Sequence, residues 1–273
     1  MLKTVYLFYP SFEKGGATKN LIRIVNFLIK KKIKILFFTR GASKNNFIKS
    51  KNLKIVNTKP LKKLNFLPMR WNLAISSMIN LNFYLKENRK NSIIFSMQSH
   101  IPAIIIAKIN QIKIVIRNSE EPISATFYGD NKILSFFVLF LKIIFYNFSD
   151  KIIAISTKSK HSLQKIVLLK EKVILIYNPY LKKIFRIKKK IKKKSNNFNI
   201  LSIGRLTKQK NFILLINTVI KLSKKYKNIN LLIIGNGDLK NYLTNKIKNQ
   251  KNIKIISWKN KQKKYYFNSD LFV

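Results

Sequence analysis

The sequence predicts two parallel α/β domains in series, the second still unfinished at Val273. Three observations predict this. Short apolar runs of strand length alternate with stretches whose apolar residues recur at helical spacing, the pattern of right-handed βαβ units over a parallel sheet. The alternation breaks at Asn178-Pro179 and gives way to a Lys-rich run over residues 180–195. It restarts at Phe198. The expected organisation is therefore a first domain over 1–179, a basic linker over 180–197 and a second, partial domain over 198–273.

Taken in order, Thr4–Tyr9 reads as a buried strand. Met1–Pro10 is too short, and lacks the small-residue cleavage site, to be a signal peptide. Gly15-Gly16 follows, and Ala17–Lys31 carries apolar residues at 21, 22, 24, 25, 28 and 29, a helical face. Ile33–Phe38 and Leu53–Asn57 read as strands, Trp71–Glu87 as helix, Ile93–Ser96 as strand, Pro102–Ile109 as helix and Lys113–Ile116 as strand. Ile133–Phe148 is the most apolar stretch. At about 16 residues, with Lys142 inside, it falls short of the roughly 20 that span a bilayer. Two readings stay open, a core or surface-docked helix and a membrane-facing one. Ile152–Ile155 is strand, Ser156 caps a helix to about Leu169, and Val173–Ile176 is strand. The linker is solvated by its charge, the alternative being one basic face of a helix. Beyond it, Phe198–Ile203, Ile229–Ile234, Ile253–Ser257 and Leu271–Val273 are strands. Asn211–Lys224, Leu239–Lys248 and Lys263–Asn268 are the helices between them.

Composition narrows the function classes. The chain has 273 residues with 56 Lys and Arg against 9 Asp and Glu, a net charge of +47, yet 47% of its residues are hydrophobic. That core content excludes a disordered basic tail. With no cysteine there is no disulfide framework, thiolate metal site or cysteine nucleophile. The two histidines, His100 and His161, offer little to a metal cluster, and His161 falls mid-helix and reads as structural. Lysine spread over nearly every segment, beside abundant Ile and Asn, looks like compositional drift. It still draws the surface toward anionic lipid and nonspecifically toward nucleic acid.

Only seven glycines occur, so each is expected where a side chain is not tolerated. Gly15, Gly16, Gly204, Gly235 and Gly237 fall just after strands or at helix entries, the carboxyl ends where open α/β sheets bind ligands. Backbone N–H groups there favour phosphate. For Gly235 and Gly237 a simple tight turn is the equal alternative. In Gly204-Arg205-Leu206-Thr207-Lys208-Gln209-Lys210-Asn211, an Arg and a Lys converge near a helix start and could clamp a diphosphate. No P-loop occurs, and Gly235-Asn236-Gly237 lacks the third glycine and downstream acid of a nicotinamide dinucleotide site.

Together these segments resemble a family-4 glycosyltransferase with the GT-B fold, two Rossmann-like doubly wound domains, over nearly the whole chain. Gly15-Gly16-Ala17 is similar to that family's N-terminal glycine loop. Ile153-Ala154-Ile155-Ser156, Ile176-Tyr177-Asn178-Pro179 and LIIGNGDL at Leu232–Leu239 resemble further segments of it. Gly204-Arg205-Leu206 with Lys210-Asn211 matches the most specific one. Ser269–Val273 resembles the stretch before the family's most diagnostic block, whose donor-binding glutamates have no counterpart here; Glu120-Glu121 lie in the other domain. The expectation is a truncated chain that is not by itself a competent transferase.

The resemblance implies transfer of a sugar from a nucleotide-sugar donor to a glycan or lipid-linked acceptor, with retention, in bacterial cell-surface polysaccharide synthesis. It implies no metal and no cofactor beyond that donor. Arg205, Lys210, Gly15 and Gly16 would bind the donor diphosphate, Gly204, Gly235 and Gly237 would form the donor-site turn, and His100 would face the sugar as the catalytic candidate. A satisfied loop histidine is the alternative for His100. Glu13, Glu120, Arg117 and Asn118 are weaker candidates. The implied setting is cytoplasmic, with peripheral contact at the inner face of the plasma membrane. An inactive remnant and a basic nucleic-acid-binding protein remain the competing readings, though no nucleic-acid motif appears.

Overall fold

The computed structural model of the chain describes residues 4–13, 15–87, 91–127, 131–179, 196–259 and 262–273. The chain divides into two compact units, Met1–Lys183 and Ile184–Val273. Residues 180–195 of the expected linker lie outside the described residues.

The first unit runs β1 (Thr4–Ser11), α1 (Gly16–Lys30), β2 (Lys34–Arg40), β3 (Leu53–Asn57), α2 (Met69–Glu87), β4 (Ser92–Ser96), α3 (His100–Ile109), β5 (Ile114–Asn118), α4 (Pro122–Phe127), α5 (Lys132–Phe145), β6 (Lys151–Ala154), α6 (Thr157–Gln164) and β7 (Val173–Leu175). Its seven strands form one sheet in the order β3-β2-β1-β4-β5-β6-β7, and every pairing is parallel. Side chains alternate faces along β1. Tyr6 and Phe8 join a core with Leu81 and Leu85 of α2 and Ala103, Ile104 and Ala107 of α3. Leu7 and Tyr9 point the other way, into a core with Leu21, Val25 and Ile29 of α1. A sheet buried on both faces explains why its central strands read as continuous apolar runs rather than alternating ones.

The second unit runs β8 (Phe198–Ile203), α7 (Phe212–Lys225), β9 (Ile229–Ile234), α8 (Lys240–Lys246), β10 (Ile253–Ile256), α9 (Lys263–Phe267) and β11 (Leu271–Phe272). Its sheet has the order β10-β9-β8-β11, again all parallel. Ile200, Leu231 and Ile233 pack against Phe212, Ile216 and Val219 of α7 and Leu243 of α8. The α/β class with parallel, doubly wound sheets is thus the observed one.

Beyond shifts of a residue or two at helix ends, three elements differ from expectation, each for a local reason. α4 has no counterpart in the sequence reading, because six residues are too few to display a period. It starts on Pro122, whose missing N–H costs nothing in a first turn. The Glu121 carboxylate accepts from the N–H of Ile123 (3.2 Å) and of Ser124 (2.7 Å). Burial would raise the Glu121 pKa, but the hydroxyls of Ser124 and Ser162 together with these backbone bonds prevail and hold it below the usual carboxylate range. α6 stops at Gln164 rather than near Leu169, where Lys165 and Ile166 turn back to the carbonyls of Ser162 and Leu163. The apolar run 133–148 is α5 followed by a 3₁₀ turn at Tyr146–Phe148. α5 lies on the surface with no fully buried residue, whereas Tyr146 is buried.

Candidate functional site at the carboxyl ends of the strands

Each sheet reverses its strand order once. In the first, β1 leads outward through β2 and β3 while β4 leads the other way through β5, β6 and β7. In the second, β8 leads through β9 to β10 on one side and borders β11 on the other. At such a reversal the loops leaving the two neighbouring strands part, and a crevice opens at their carboxyl ends. Gly15 and Gly16 follow β1, His100 follows β4, and Gly204 with Arg205 follows β8. The topology therefore puts these predicted residues at the two reversal points.

In the first unit the loops after β1 and β4 are tied together, since the Ser11 N–H donates to Gln98 Oε1 at 2.9 Å. Gly15 is the N-cap of α1 in an extended conformation, and it offers no side-chain acceptor to the first-turn N–H groups. A Cβ added at Gly15 or Gly16 would meet no described atom within 4 Å. The expectation that a side chain is not tolerated is therefore corrected here: the described residues leave this space open. Glu13 beside it accepts from Ser11 Oγ (2.9 Å) and pairs with Arg70 (3.4 Å).

His100 opens α3, behind Ser99 in the left-handed region at φ 52°. Ser96 Oγ donates to the Gln98 carbonyl at 3.2 Å and lies 2.9 Å from His100 Nδ1. The Ser96 hydroxyl thus bridges the Gln98 carbonyl and His100 Nδ1 and holds the ring in place. The ring meets Tyr146 edge-on at 5.8 Å. Burial, then the charges of Lys142 and Arg117, push the His100 pKa down to about 3, so the imidazole is neutral near pH 7. Tyr146 donates to Asn118 Oδ1 at 3.3 Å, and burial with the Glu120 charge raises its pKa. Arg117 is buried and bonds Ser119 Oγ (3.3 Å) and Asn178 Oδ1. Asn118 also donates to the Glu120 carbonyl. The weaker candidates Arg117, Asn118 and Glu120 thus join one network around His100. His161 is exposed on α6.

In the second unit, Gly235 and Gly237 have a reason in the chain itself. The Leu206 N–H donates to the Asn236 carbonyl (2.9 Å), and the Leu239 N–H donates back to the Leu206 carbonyl (3.0 Å). This crossing brings backbone against backbone. A Cβ at Gly235 would collide with the Gly204 carbonyl, and one at Gly237, where φ is +156°, would sit 2.5 Å from the Leu206 oxygen. The crossing holds the 204–206 segment and leaves Arg205 exposed at the sheet's end. Lys210 closes a 3₁₀ turn, Lys208–Lys210, and is also exposed. Asn211 adopts φ 47° and its side-chain oxygen accepts from the Leu214 N–H (3.4 Å), capping α7.

Residues 183–273 match the family described as Glycosyl transferases group 1. A protein of Methanocaldococcus jannaschii named uncharacterized glycosyltransferase MJ1059 is 29% identical over 190 residues. That match covers 64% of this chain and 46% of the relative, so the chain spans about half the length of the curated relative it matches. Among solved structures, Anabaena Alr3699/HepE in complex with UDP and glucose superposes with a TM-score of 0.68 at 16% identity, covering 100% of this chain and 73% of that one. WaaG, a glycosyltransferase involved in lipopolysaccharide biosynthesis, gives 0.67 at 13% identity, covering 98% and 74%.

The fold is thus that of the GT-B glycosyltransferases. Among the described residues, no group of three or more His, Asp or Glu side chains could hold a metal ion. No helix among them is long and apolar enough to cross a membrane. The sequence reading missed Ser96, Gln98, Lys142 and Tyr146. Tyr146 and Lys142 sit inside one apolar run, and only the fold sets the Tyr146 ring against His100 and brings the Lys142 charge to bear on it.

Proposed function

We propose that the chain acts in transfer of a sugar from a nucleotide-sugar donor to a glycan or lipid-linked acceptor, with retention at the anomeric carbon. We place it in cell-surface polysaccharide assembly, in the cytoplasm at the inner face of the plasma membrane. The observation that carries this reading is Arg205 exposed at the strand reversal of the very unit whose sequence matches the group 1 family. In such a transfer, positive charge grows on the sugar ring while negative charge grows on the departing diphosphate. A guanidinium at the sheet's end, with Lys210 nearby in sequence, supplies fixed positive charge to that leaving group without a metal. The uncapped N-terminus of α1 offers N–H groups and an open approach at Gly15 and Gly16. Neutral His100 suits a hydroxyl of the sugar and not a phosphate.

HepE was crystallised with UDP-glucose, which makes that the first donor to try. Calorimetry on the whole chain should detect its binding. Arg205→Ala should weaken it at least tenfold with the thermal midpoint unchanged, because the side chain is exposed. Equal donor affinity in that variant would remove Arg205 from the site.

A further inference from the structure

At the strand reversal of the first unit, side chains take over where the backbone ladder stops. β1 and β4 pair as far as Phe8 and Ser96, and the Met97 N–H still reaches the Phe8 carbonyl at 3.0 Å. Beyond that point β1 shifts register against β2, between Phe8 and Ser11. Such an irregularity re-aims the residues that follow it. The Phe12 N–H donates to the Arg40 carbonyl of β2 (3.0 Å), whereas the Ser11 N–H is met by Gln98 Oε1 (2.9 Å), from the loop that leaves β4. A side-chain amide here supplies the acceptor that a continuing ladder would have supplied.

That contact fixes the Gln98 amide. A backbone N–H only donates, so the atom facing it is the amide oxygen, and Nε2 points its two hydrogens elsewhere. Among the described residues Nε2 has no hydrogen-bond partner, and Gln98 is partly exposed. The same serine also holds an acceptor. Ser11 Oγ donates to Glu13 Oε1 (2.9 Å), Arg70 pairs with Oε2 (3.4 Å), and the Glu13 side chain is 56% exposed. Each carboxylate oxygen keeps a further lone pair to offer. Ser11 thus carries, on its N–H and its hydroxyl, one group with two hydrogens to give and one that only accepts. Few ligands suit both. A phosphate or a carboxylate would be repelled by Glu13, and an ammonium would meet the Gln98 hydrogens. A hydroxyl both donates and accepts, so two on adjacent ring carbons can take a hydrogen from Gln98 and give one to Glu13.

We propose that Gln98 and Glu13, both held by Ser11, form a subsite that recognises adjacent hydroxyls of an uncharged sugar ring. Its use in sugar transfer rests on the reading given above. The ring is that of the nucleotide sugar or that of the acceptor, and the chemistry of recognition is the same for both. A site built to hydrogen-bond a hydroxyl discriminates strongly against an analogue that lacks it, because its polar groups are then left unpaired.

The probes are methyl glucoside, methyl galactoside and methyl mannoside, with 2-methoxytetrahydropyran as the same ring without hydroxyls, followed by saturation-transfer NMR on the whole chain. Saturable transfer to at least one glycoside, and none to the bare ring, is expected. Gln98→Glu keeps an oxygen for the Ser11 N–H and removes both donor hydrogens, so the tie between the loops survives while recognition does not. It should weaken glycoside binding at least tenfold with the thermal midpoint unchanged; Glu13→Gln, which keeps an oxygen for Ser11 Oγ, should weaken it severalfold. No transfer to any of the glycosides, equal transfer to the bare ring, or unweakened binding in folded Gln98→Glu would each overturn the proposal, the last by leaving Gln98 a merely structural tie. Calorimetry then separates the two sources. If the ring is the donor's, UDP-glucose binds more tightly than UDP and Gln98→Glu removes that excess alone. If it is the acceptor's, Gln98→Glu loses the free glycoside and leaves UDP-glucose affinity as it was. Arg205→Ala should weaken the nucleotide and leave the free glycosides bound. Loss of the donor reading therefore leaves the glycoside result standing, and the reverse.

Discussion

Two pairs of glycines follow strands in this molecule, and their surroundings differ. At Gly235 and Gly237 the missing side chain is taken up by the protein, whose 204–206 backbone crosses against them. At Gly15 and Gly16 nothing described comes within 4 Å of the absent Cβ. A glycine of the first kind is required by folding. A glycine of the second kind is not, so its explanation has to come from what approaches from outside. The first unit keeps an open approach at its strand reversal, and the second spends its glycines on holding Arg205 at the corresponding place.

The largest effect that tests this contrast is in the second unit. Gly235→Ala should destabilise it by about 3 kcal/mol, since the obstruction is a backbone carbonyl that cannot rotate aside. Urea unfolding followed by circular dichroism would measure it. A loss under about 1 kcal/mol would mean that the crossing yields easily, and the two pairs would no longer differ in kind.

Much of this arrangement could be read before the fold was known. Leu53–Asn57, Phe198–Ile203 and Ile229–Ile234 have the same ends in sequence and structure, because buried parallel strands are apolar runs bounded by polar residues. Helix ends moved by a few residues, as in α8, where capping bonds rather than hydrophobic period set the stop. Gly204 and Arg205 stood out because a strand leads directly into them. The network around His100 was not legible. Tyr146 reaches Asn118 across 28 residues, and Arg117 reaches Asn178 across 61. No periodicity announces a contact of that length, and a tyrosine closing an apolar helix reads as core.

His100 sharpens the comparison from the first unit, because it is built into the chain by Ser96 and Tyr146 and yet borders the open site. Its pKa is about 3 in the folded state against 6.5 as a free side chain. The folded value is the lower one, so the unfolded chain takes the proton first. The stability from the neutral ring is fully present above pH 6.5 and is lost as pH falls toward 3, at up to about 1.4 kcal/mol per pH unit. Urea midpoints measured from pH 7 to pH 4 should decline in the wild type and decline less in His100→Gln. Equal slopes would show that His100 is not held neutral, and would place it with the open positions.

The smallest expected effect on stability is the most informative about the open pair. Gly15 has φ 172°, an extended conformation available to any residue, and Gly16 is the first residue of α1. Alanine at Gly16 gains helix propensity, and alanine at Gly15 loses a little as an N-cap. Either substitution should leave stability within about 0.5 kcal/mol of the wild type. If the space above α1 admits a donor phosphate, a methyl group there keeps the phosphate from the N–H groups. UDP-glucose affinity should then fall about tenfold in Gly15→Ala and Gly16→Ala, with the unfolding curve barely moved. A stability loss like that of Gly235→Ala would return these glycines to the class required by folding. Unchanged stability together with unchanged affinity would leave the open approach without a ligand and confine donor recognition to the second unit.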